Sequence, residues 1–525
     1  MEYNPALMTL IPSYFNLFDY FLGDERLSII GSRTAIEFRG GRITYNELRR
    51  EVDYWTEQLA GCGVREGDRV AILLYDSPEF ISTFLATVSI GAIAVPINTF
   101  LSPDEVGFIL GDCEARAAIV EDDLEWKANA GSRDECSVIV IDTYSCQYLE
   151  PKDEVAPRPP LCGSTRTSPA FILYTSGSTG TPKGVLHVHG AVPVTVANYS
   201  ENVLKLAGGD RVYSASRLFF AYGLGNSLSF PMAAGATVLL DPERATPDRI
   251  ASIFEEQMPT VFFGVPALYN ALIELKRGGA SIDTSSLRLC VSAGEALPAR
   301  IVEDWGREFG LPILDGIGST EMLHIFISNR EGEVVAGSSG RLVEGYEARL
   351  IDERGENVPA GEPGNLWVKG ASATSGYWNR RDLTASTIRE GWVRTGDLYT
   401  RDGAGYFYHT GRSDDCFKVK GLWVSPVEVE SALLAHPSVA EAAVVGATDE
   451  KGLATTRAFV VIRQDMGSEG LVEDLVSFLR SRLPQHKVPS QIEFLDELPR
   501  TATGKVQRYK LRAEARTKPR GGTDD

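Results

Sequence analysis

Short apolar runs alternate with amphipathic stretches along most of the chain. Residues 69–75 and 170–174 are almost wholly apolar, which is typical of strands buried on both faces. Residues 77–89 instead carry apolar side chains at helical spacing. Further strands are predicted at residues 92–96, 117–120, 137–141, 236–240, 260–263 and 287–291. This alternation predicts an α/β fold in which mainly parallel sheets are covered by helices on both faces.

The pattern changes after about residue 334, where glycine and proline become frequent and residues 365–369 alternate between apolar and polar positions. We therefore expect a large N-terminal domain over residues 1–412, with two mainly parallel sheets and a β-rich subdomain from about residue 334. A small α+β domain is expected over residues 413–525. Helices are predicted there at residues 426–435 and 471–483, and strands are predicted at residues 442–445 and 458–462.

Composition narrows the functional class. A length of 525 residues favours more than one domain, and a formal net charge of −19 disfavours a nucleic-acid partner. The seven cysteines show no paired spacing, which predicts reduced thiols without a zinc site. No signal peptide or membrane-spanning apolar run is recognisable, so we expect a cytoplasmic protein without a membrane partner. Composition leaves open whether it is a monomer or a homodimer.

The strongest chemical signal is the stretch YTSGSTGTPKG at residues 174–184, which follows a predicted strand. Glycines expose backbone N–H groups to phosphate oxygens, while hydroxyls and one lysine complete an anion site. The stretch fails the Walker A spacing, since Pro182 stands where a glycine is needed and no Ser or Thr follows Lys183. It therefore predicts a phosphate loop of another kind. The candidate ligands are Thr175, Ser176, Gly177, Ser178, Thr179, Gly180 and Lys183.

This loop resembles the signature motif of the adenylate-forming superfamily, which includes acyl-CoA synthetases, peptide-synthetase adenylation domains and firefly-type luciferases. The resemblance covers nearly the whole chain, because the other motifs follow in order. Residues 315–321, DGIGSTE, resemble the second nucleotide motif. The resemblance implies that Thr320 contacts the α-phosphate, that Glu321 helps to hold Mg²⁺ and that Asp315 accepts a hydrogen bond from the adenine amino group.

The usual aromatic residue of this motif is replaced by Ile317, so the resemblance implies that adenine stacks on an aliphatic surface. The further nucleotide-binding candidates are Gly294, Glu295, Ala296 and Gly316.

Three later motifs complete the resemblance. Asp397, in RTGDL, corresponds to the residue that binds the ribose hydroxyls. Arg412 would contact ribose or phosphate, and Asp414 lies at the hinge about which a mobile C-terminal domain rotates between half-reactions. Lys505 would neutralise charge on the reacting carboxylate and α-phosphate. The loop at residues 418–425 supplies the candidates for binding coenzyme A, which are Lys418, Lys420, Gly421 and Trp423.

Residues 218–226, 313–325 and 419–426 resemble the benzoate–CoA ligase branch. Phe220 and Tyr222 would form a short, flat, apolar slot that suits an aryl ring and excludes a long aliphatic tail. Core packing is the alternative for these aromatics, and we favour it for neighbouring Phe219. His324 either binds a ring substituent or is a structural histidine. Ala221 and Gly318 are expected to leave room for the ring, and the remaining candidates for binding the acid are Gly223 and Val265.

The resemblance implies an ATP-dependent aryl acid–CoA ligase. The acid, which is benzoate, a hydroxybenzoate or 2-aminobenzoate, would attack the α-phosphorus of ATP, and coenzyme A would then displace AMP. One alternative is an aryl-adenylating enzyme that loads a carrier-protein thiol, although residues 418–425 follow the CoA-ligase form. Another is a non-catalytic adenylate-binding protein, which the presence of both Lys505 and Glu321 disfavours.

Overall fold

The computed structural model describes residues 11–129, 136–143, 163–176, 181–413, 415–419, 422–448, 453–463, 470–500 and 506–517. Within these ranges the strands form two large mixed sheets, one antiparallel sheet, one three-stranded sheet and one hairpin. The predicted α/β fold with a smaller C-terminal α+β unit is confirmed.

The first large sheet has nine strands, of which six central ones are parallel. Its carboxyl-terminal strand ends therefore meet along one edge, where ligands of such sheets usually bind. In spatial order its strands are Arg341–Leu342, Ile325–Ser328, Ile313–Gly318, Leu289–Ser292, Val261–Gly264, Arg211–Ser214, Thr237–Leu240, Thr34–Phe38 and Gly41–Thr44.

The second large sheet has seven strands, five of them parallel. The predicted apolar strands fall in these two sheets with shifts of a few residues at their ends, except that residues 137–141 match without any shift. In spatial order the strands of the second sheet are Gly376–Tyr377, Pro182–Val188, Pro169–Ser176, Ile93–Pro96, Arg69–Leu73, Ala115–Glu121 and Ser137–Ile141.

Helix Pro78–Ser89 fits the predicted helical spacing, and every residue in it is buried. The Ser77 hydroxyl accepts the Phe80 N–H at 3.3 Å, and Pro78 occupies the first turn, so the sequence itself caps this helix. Its apolar side chains join one hydrophobic core with residues of both large sheets, such as Ile72 and Val212. The two sheets are therefore held together by a shared core.

Some of the remaining helices join the shared core, others pack in separate clusters against one of the large sheets, and the last ones belong to the C-terminal part. The remaining helices include two short π-helical segments, Val196–Leu204 and Gly225–Ser229. The α-helices are Leu17–Leu22, Asp24–Ile30, Tyr45–Gly61, Pro103–Asp112, Glu125–Asn129, Ala191–Thr195, Ala221–Leu224, Phe230–Ala234, Pro247–Gln257, Pro266–Arg277, Ala299–Phe309, Arg381–Thr387, Pro426–Leu434, Leu471–Arg480 and Arg508–Thr517. The 3₁₀ turns are Asp122–Leu124 and Thr320–Met322.

The β-rich part is an antiparallel sheet of strands Tyr346–Ile351, Gly364–Gly370, Trp392–Arg401, Ile388–Arg389 and Phe407–Arg412. The C-terminal part contains the hairpin Phe417–Val419 and Leu422–Val424 and the sheet Val439–Thr448, Ala454–Ile462 and Gln491–Phe494. The domain boundaries predicted near residues 334 and 413 stay predictions.

Cys62, Cys113, Cys136 and Cys290 are free thiols. Among the described helices, none combines the length and the apolar character needed to cross a bilayer.

Candidate active site

The predicted phosphate loop connects two antiparallel strands, Pro169–Ser176 and Pro182–Val188, in which Thr175 lies opposite Lys183. The Lys183 ammonium donates to Glu321 Oε1 at 3.2 Å and to the Tyr377 hydroxyl at 3.1 Å. Tyr377 in turn donates to the same Glu321 oxygen at 2.6 Å. The fold thus joins the first predicted motif to the second through three side chains from distant parts of the chain.

The electrostatics of this cluster keep Glu321 ionised. Burial alone would favour its neutral form, but the Lys183 charge and the Tyr377 hydroxyl hold the pKa of Glu321 below its usual value. Burial and the Glu321 carboxylate raise the pKa of Tyr377, so that its hydroxyl stays a donor. A carboxylate beside a lysine is suited to a triphosphate with its divalent cation.

His187 contacts the backbone of the 3₁₀ turn Thr320–Met322, which contains Glu321. Its Nε2 lies 2.8 Å from the Thr320 carbonyl oxygen, and its ring stacks on Phe171. Burial lowers the pKa of His187 to about 4, so the imidazole is neutral and Nε2 carries the donated proton. Lys183 and His187 lie four positions apart in one strand and therefore face the same side. His187 is not among the residues predicted from the sequence, although its spacing of four positions from Lys183 in a strand could have indicated a role.

The predicted ribose site unites two motifs on neighbouring strands. Asp397 pairs with Arg412 in register, and an Arg412 Nη1 donates to its carboxylate at 3.1 Å. Burial opposes ionisation of Asp397, but hydrogen bonding to His409 and the Arg412 charge hold its pKa below the ordinary value. Gly396 has φ +80°, and a Cβ there would lie 2.9 Å from the Arg412 guanidinium, so glycine permits this pairing.

Asp315, a buried residue of strand Ile313–Gly318, is the last one there to pair in parallel with the neighbouring strand, and its Oδ1 has no hydrogen-bond partner among the described residues. Burial raises the pKa of this carboxyl well above its usual value, with Ser339 opposing the shift by a hydrogen bond. An unpaired buried oxygen is costly in a protein and is suited to accept an N–H from a ligand. This fits the predicted contact with the adenine amino group, which stays a prediction.

Val265 and residues 294–296 follow the carboxyl ends of parallel strands at the same edge of the nine-stranded sheet. Val265 directly follows one parallel strand, and its side chain faces Gly294 at the end of the next. Gly294 has φ +95°, which favours glycine at this turn. Glu295 and Ala296 follow Gly294 directly, whereas Gly316 and Ile317 follow Asp315, and Ile317 is partly buried against the core.

An aromatic cluster surrounds His324. Its ring lies 5.5 Å from that of Tyr222 and 4.6 Å from that of Phe230, and its Nε2 is 3.1 Å from Asn226 Oδ1. The Tyr222 ring also meets Phe263 edge-on at 6.1 Å. Burial lowers the pKa of His324 to about 3, and its Nδ1 has no partner among the described residues. His324 is thus a neutral imidazole with one uncommitted acceptor nitrogen.

The predicted contacts of Gly318, Ala221 and Gly223 with the acid stay predictions. A Cβ at Gly318 would lie 2.7 Å from the His324 carbonyl, so glycine is needed there for close backbone approach. Ala221 is buried in the main core, and a Cβ at Gly223 would lie 1.9 Å from the Arg217 carbonyl oxygen, so glycine is needed at position 223 for close backbone approach. Phe219 is buried, as core packing predicts, and its ring meets Phe220 edge-on at 4.6 Å.

Two of the candidates for binding coenzyme A lie on the C-terminal hairpin, where exposed Lys418 is opposite Trp423. Outside the described residues lie Gly177, Ser178, Thr179, Gly180, Asp414, Lys420, Gly421 and Lys505.

Asp76, which is not among the residues predicted from the sequence, follows strand Arg69–Leu73 of the other large sheet. Its Oδ1 accepts the Leu218 N–H at 3.0 Å, and its Oδ2 lies 3.7 Å from Arg217. Arg217 is held in turn by the Asp241 carbonyl at 2.5 Å. Asp76 thereby fixes the start of the segment that carries Tyr222. Its position at the carboxyl end of a predicted parallel strand is the sequence signal that could have identified it.

Asp76→Asn is expected to change how stability depends on pH. Burial raises the pKa of Asp76 to about 6, although Arg217 opposes the shift. Between about pH 4 and pH 6 the folded protein therefore binds a proton that the unfolded chain does not, and the free energy of unfolding falls as pH rises. Denaturant unfolding at several pH values should show that the variant lacks this fall, on the order of 2 kcal/mol. Exposed Asp496→Asn serves as the control, and parallel curves for wild type and Asp76→Asn would contradict the assignment.

The chain matches two models of known protein families. Residues 28–378 match the family model "AMP-binding enzyme", and residues 428–505 match "AMP-binding enzyme C-terminal domain". The chain is 41% identical to a benzoate–CoA ligase of Thauera aromatica, over 96% of this chain and 97% of that protein.

Two solved structures are similar along almost their full length. The anthranilate CoA ligase AuaEII in complex with anthranoyl-AMP has a TM-score of 0.91 and 39% identity, covering 97% of this chain and 99% of that one. A benzoate CoA ligase from Burkholderia xenovorans LB400 has a TM-score of 0.87 and 41% identity, covering 95% of this chain and 100% of that one.

Proposed function

Since the chain belongs to the AMP-binding enzyme family, we propose that it is an ATP-dependent ligase that joins a benzoate-type acid to coenzyme A. The acid first becomes an acyl-adenylate with release of pyrophosphate. The thiol of coenzyme A then attacks the acyl carbonyl, and AMP leaves. The relatives named above act on benzoate and anthranilate, which supports an aryl acid as the substrate.

One observation carries the proposal: residues 321–324 contact both the predicted phosphate-binding lysine and the aromatic cluster. Glu321 contacts Lys183 at 3.2 Å, while His324, three residues later, lies in the aromatic cluster. A phosphate-binding group and an aryl-sized apolar surface therefore share one backbone segment. Transfer of AMP to a carboxylate requires that the acid and the α-phosphate meet at such a point.

The residues act on charge that develops during activation. A carboxylate is a poor electrophile until its oxygen becomes part of a good leaving group, which adenylation provides. Lys183 and the loop before it bind the phosphates, Thr320 contacts the α-phosphate, and Lys505 neutralises the reacting oxygens. Asp397 holds the ribose, and Asp315 accepts from adenine.

Mg²⁺ fits the donor set, because Glu321 offers an ionised carboxylate and the nucleotide offers phosphate oxygens. Among the described residues, no group of three or more His, Cys, Asp or Glu could hold a metal ion, so phosphate and water would supply the other ligands. When bound, the ion would neutralise the pyrophosphate leaving group.

A screen of pyrophosphate release over aryl and short aliphatic acids, with and without coenzyme A, tests this function. We expect benzoate, a hydroxybenzoate or 2-aminobenzoate to give the highest rate and coenzyme A to yield the aryl thioester. Faster turnover of hexanoate or longer acids would contradict the aryl slot. Transfer only to a carrier-protein thiol would favour the aryl-adenylating alternative.

His324→Leu is expected to change the choice of ring substituent. The uncommitted Nδ1 accepts a hydrogen bond, so a hydroxyl or amino group on the ring gains from it while plain benzoate does not. The ratio of kcat/KM for substituted acids to that for benzoate should fall by roughly 10- to 100-fold. Benzoate is the internal control. An equal loss for all acids would assign His324 a packing role only.

A further inference from the structure

Two polar contacts connect the C-terminal part of the chain to helices beside the nine-stranded sheet. Arg463 Nη1 lies 2.7 Å from Glu274 Oε1 on helix Pro266–Arg277. The Arg300 guanidinium, on helix Ala299–Phe309, donates to the Leu434 carbonyl at 3.0 Å. Neither contact involves a residue of the nucleotide site, and sequence analysis assigned neither of them.

Arg300 contacts the carboxyl end of helix Pro426–Leu434, where carbonyl groups lack partners within the helix. The same guanidinium nitrogen also lies 3.4 Å from the His436 carbonyl. A cation at this end is favoured by the helix dipole as well as by the hydrogen bonds. Asp304, 3.5 Å from Arg300 and one turn further along its helix, orients the arginine from its own side.

With these contacts formed, helix Arg508–Thr517 begins near the edge of the nine-stranded sheet that carries the nucleotide candidates. Burial disfavours the Arg508 cation, but the charges of Glu430, Asp415 and Glu295 raise its pKa. Glu295 belongs to the N-terminal segment at the edge of the nine-stranded sheet, whereas Arg508 follows Lys505 by three positions. In this arrangement Arg508, at the start of the last helix, therefore lies near the edge of the nine-stranded sheet that carries the nucleotide candidates.

We propose that Arg300 and the Glu274–Arg463 ion pair are positioning residues, which hold the C-terminal part in the orientation for acyl-adenylate formation and separate before thioester formation. This inference rests on the proposed function, since only a two-step reaction needs two orientations. Both contacts are partly exposed, and exposed ion pairs are weak and screened by salt. Weak contacts suit a docking that must be released in every turnover.

Charge reversal tests the ion pair. Arg463→Glu and Glu274→Arg should each slow single-turnover acyl-adenylate formation by roughly three- to ten-fold, because attraction becomes repulsion. Thioester formation from supplied acyl-adenylate should be unchanged or faster. The double variant E274R/R463E should recover most of the lost rate. Arg300→Ala should show the same split between half-reactions, without rescue.

A matched control lies within the C-terminal part. Lys487 and Glu428 form an ion pair of 2.6 Å with side-chain exposures of 19% and 42%, against 22% and 42% for Arg463 and Glu274. Reversal of Lys487 should leave both half-reactions unchanged. Equal losses in both half-reactions for Arg463→Glu, no loss at all, or no rescue by the double variant would each overturn the proposal.

Hydrogen exchange separates this inference from the proposed function. Without any substrate, Arg463→Glu and Arg300→Ala should increase exchange in peptides from helices Pro266–Arg277 and Pro426–Leu434. If no aryl acid is adenylated by the wild type, the proposed function fails while this measurement still reports the contacts. Unchanged exchange in both variants would show that the contacts do not hold the two parts together.

Discussion

Lys505→Ala is expected to slow acyl-adenylate formation by roughly 10²- to 10³-fold, the usual effect of removing one group that stabilises developing negative charge. The lysine acts while the carboxylate oxygen and the α-phosphate approach each other, and both are anionic. In the second step a neutral acyl carbonyl is attacked, and the lysine has no corresponding role. Thioester formation from supplied acyl-adenylate should therefore change by less than about three-fold. Rapid-quench assays of each half-reaction provide the measurement.

Exposed Lys510 on the last helix is the matched control, because Lys510→Ala removes a nearby cation without touching the predicted motif. This control should behave as wild type in both steps. If Lys505→Ala impaired both half-reactions equally, the role given to this lysine would be refuted.

Glu321→Gln should reduce acyl-adenylate formation by roughly 10²-fold and raise the Mg²⁺ concentration needed for half-maximal rate. The substitution keeps the shape of the side chain but removes the charge that pairs with Lys183. Since the pKa of Glu321 lies below its ordinary value of 4.5, the carboxylate is ionised throughout the neutral range. The defect should therefore be constant between about pH 6 and pH 9.

Tyr377→Phe provides the graded comparison, since it removes one donor to Glu321 and leaves the carboxylate in place. Its effect should be smaller, roughly three- to ten-fold, without a large change in Mg²⁺ dependence. A Glu321→Gln variant with normal Mg²⁺ dependence would remove the metal role from this residue.

The buried parallel strands were predictable because nearly continuous apolar runs have few other stable arrangements. The helix Pro78–Ser89 was predictable for a similar reason, with Ser77 and Pro78 marking its start. The strand Pro182–Val188 was not predicted, since Lys183 and His187 interrupt its apolar pattern with polar groups that the site requires. Local patterns are least informative where function places polar residues in a strand.

The sequence alone determined the kind of chemistry, because a loop rich in glycine and hydroxyl groups and the ordered motifs after it depend on residue types at short spacing. Only the tertiary structure decided which groups meet: Tyr377 and Lys183 donate to Glu321, Asn226 contacts His324, and Asp76 accepts the Leu218 backbone N–H. It also showed that Gly318 lies against the His324 backbone. These contacts join residues that are distant along the chain, and their distances are set by the packing of two sheets around a shared core, which no local pattern encodes.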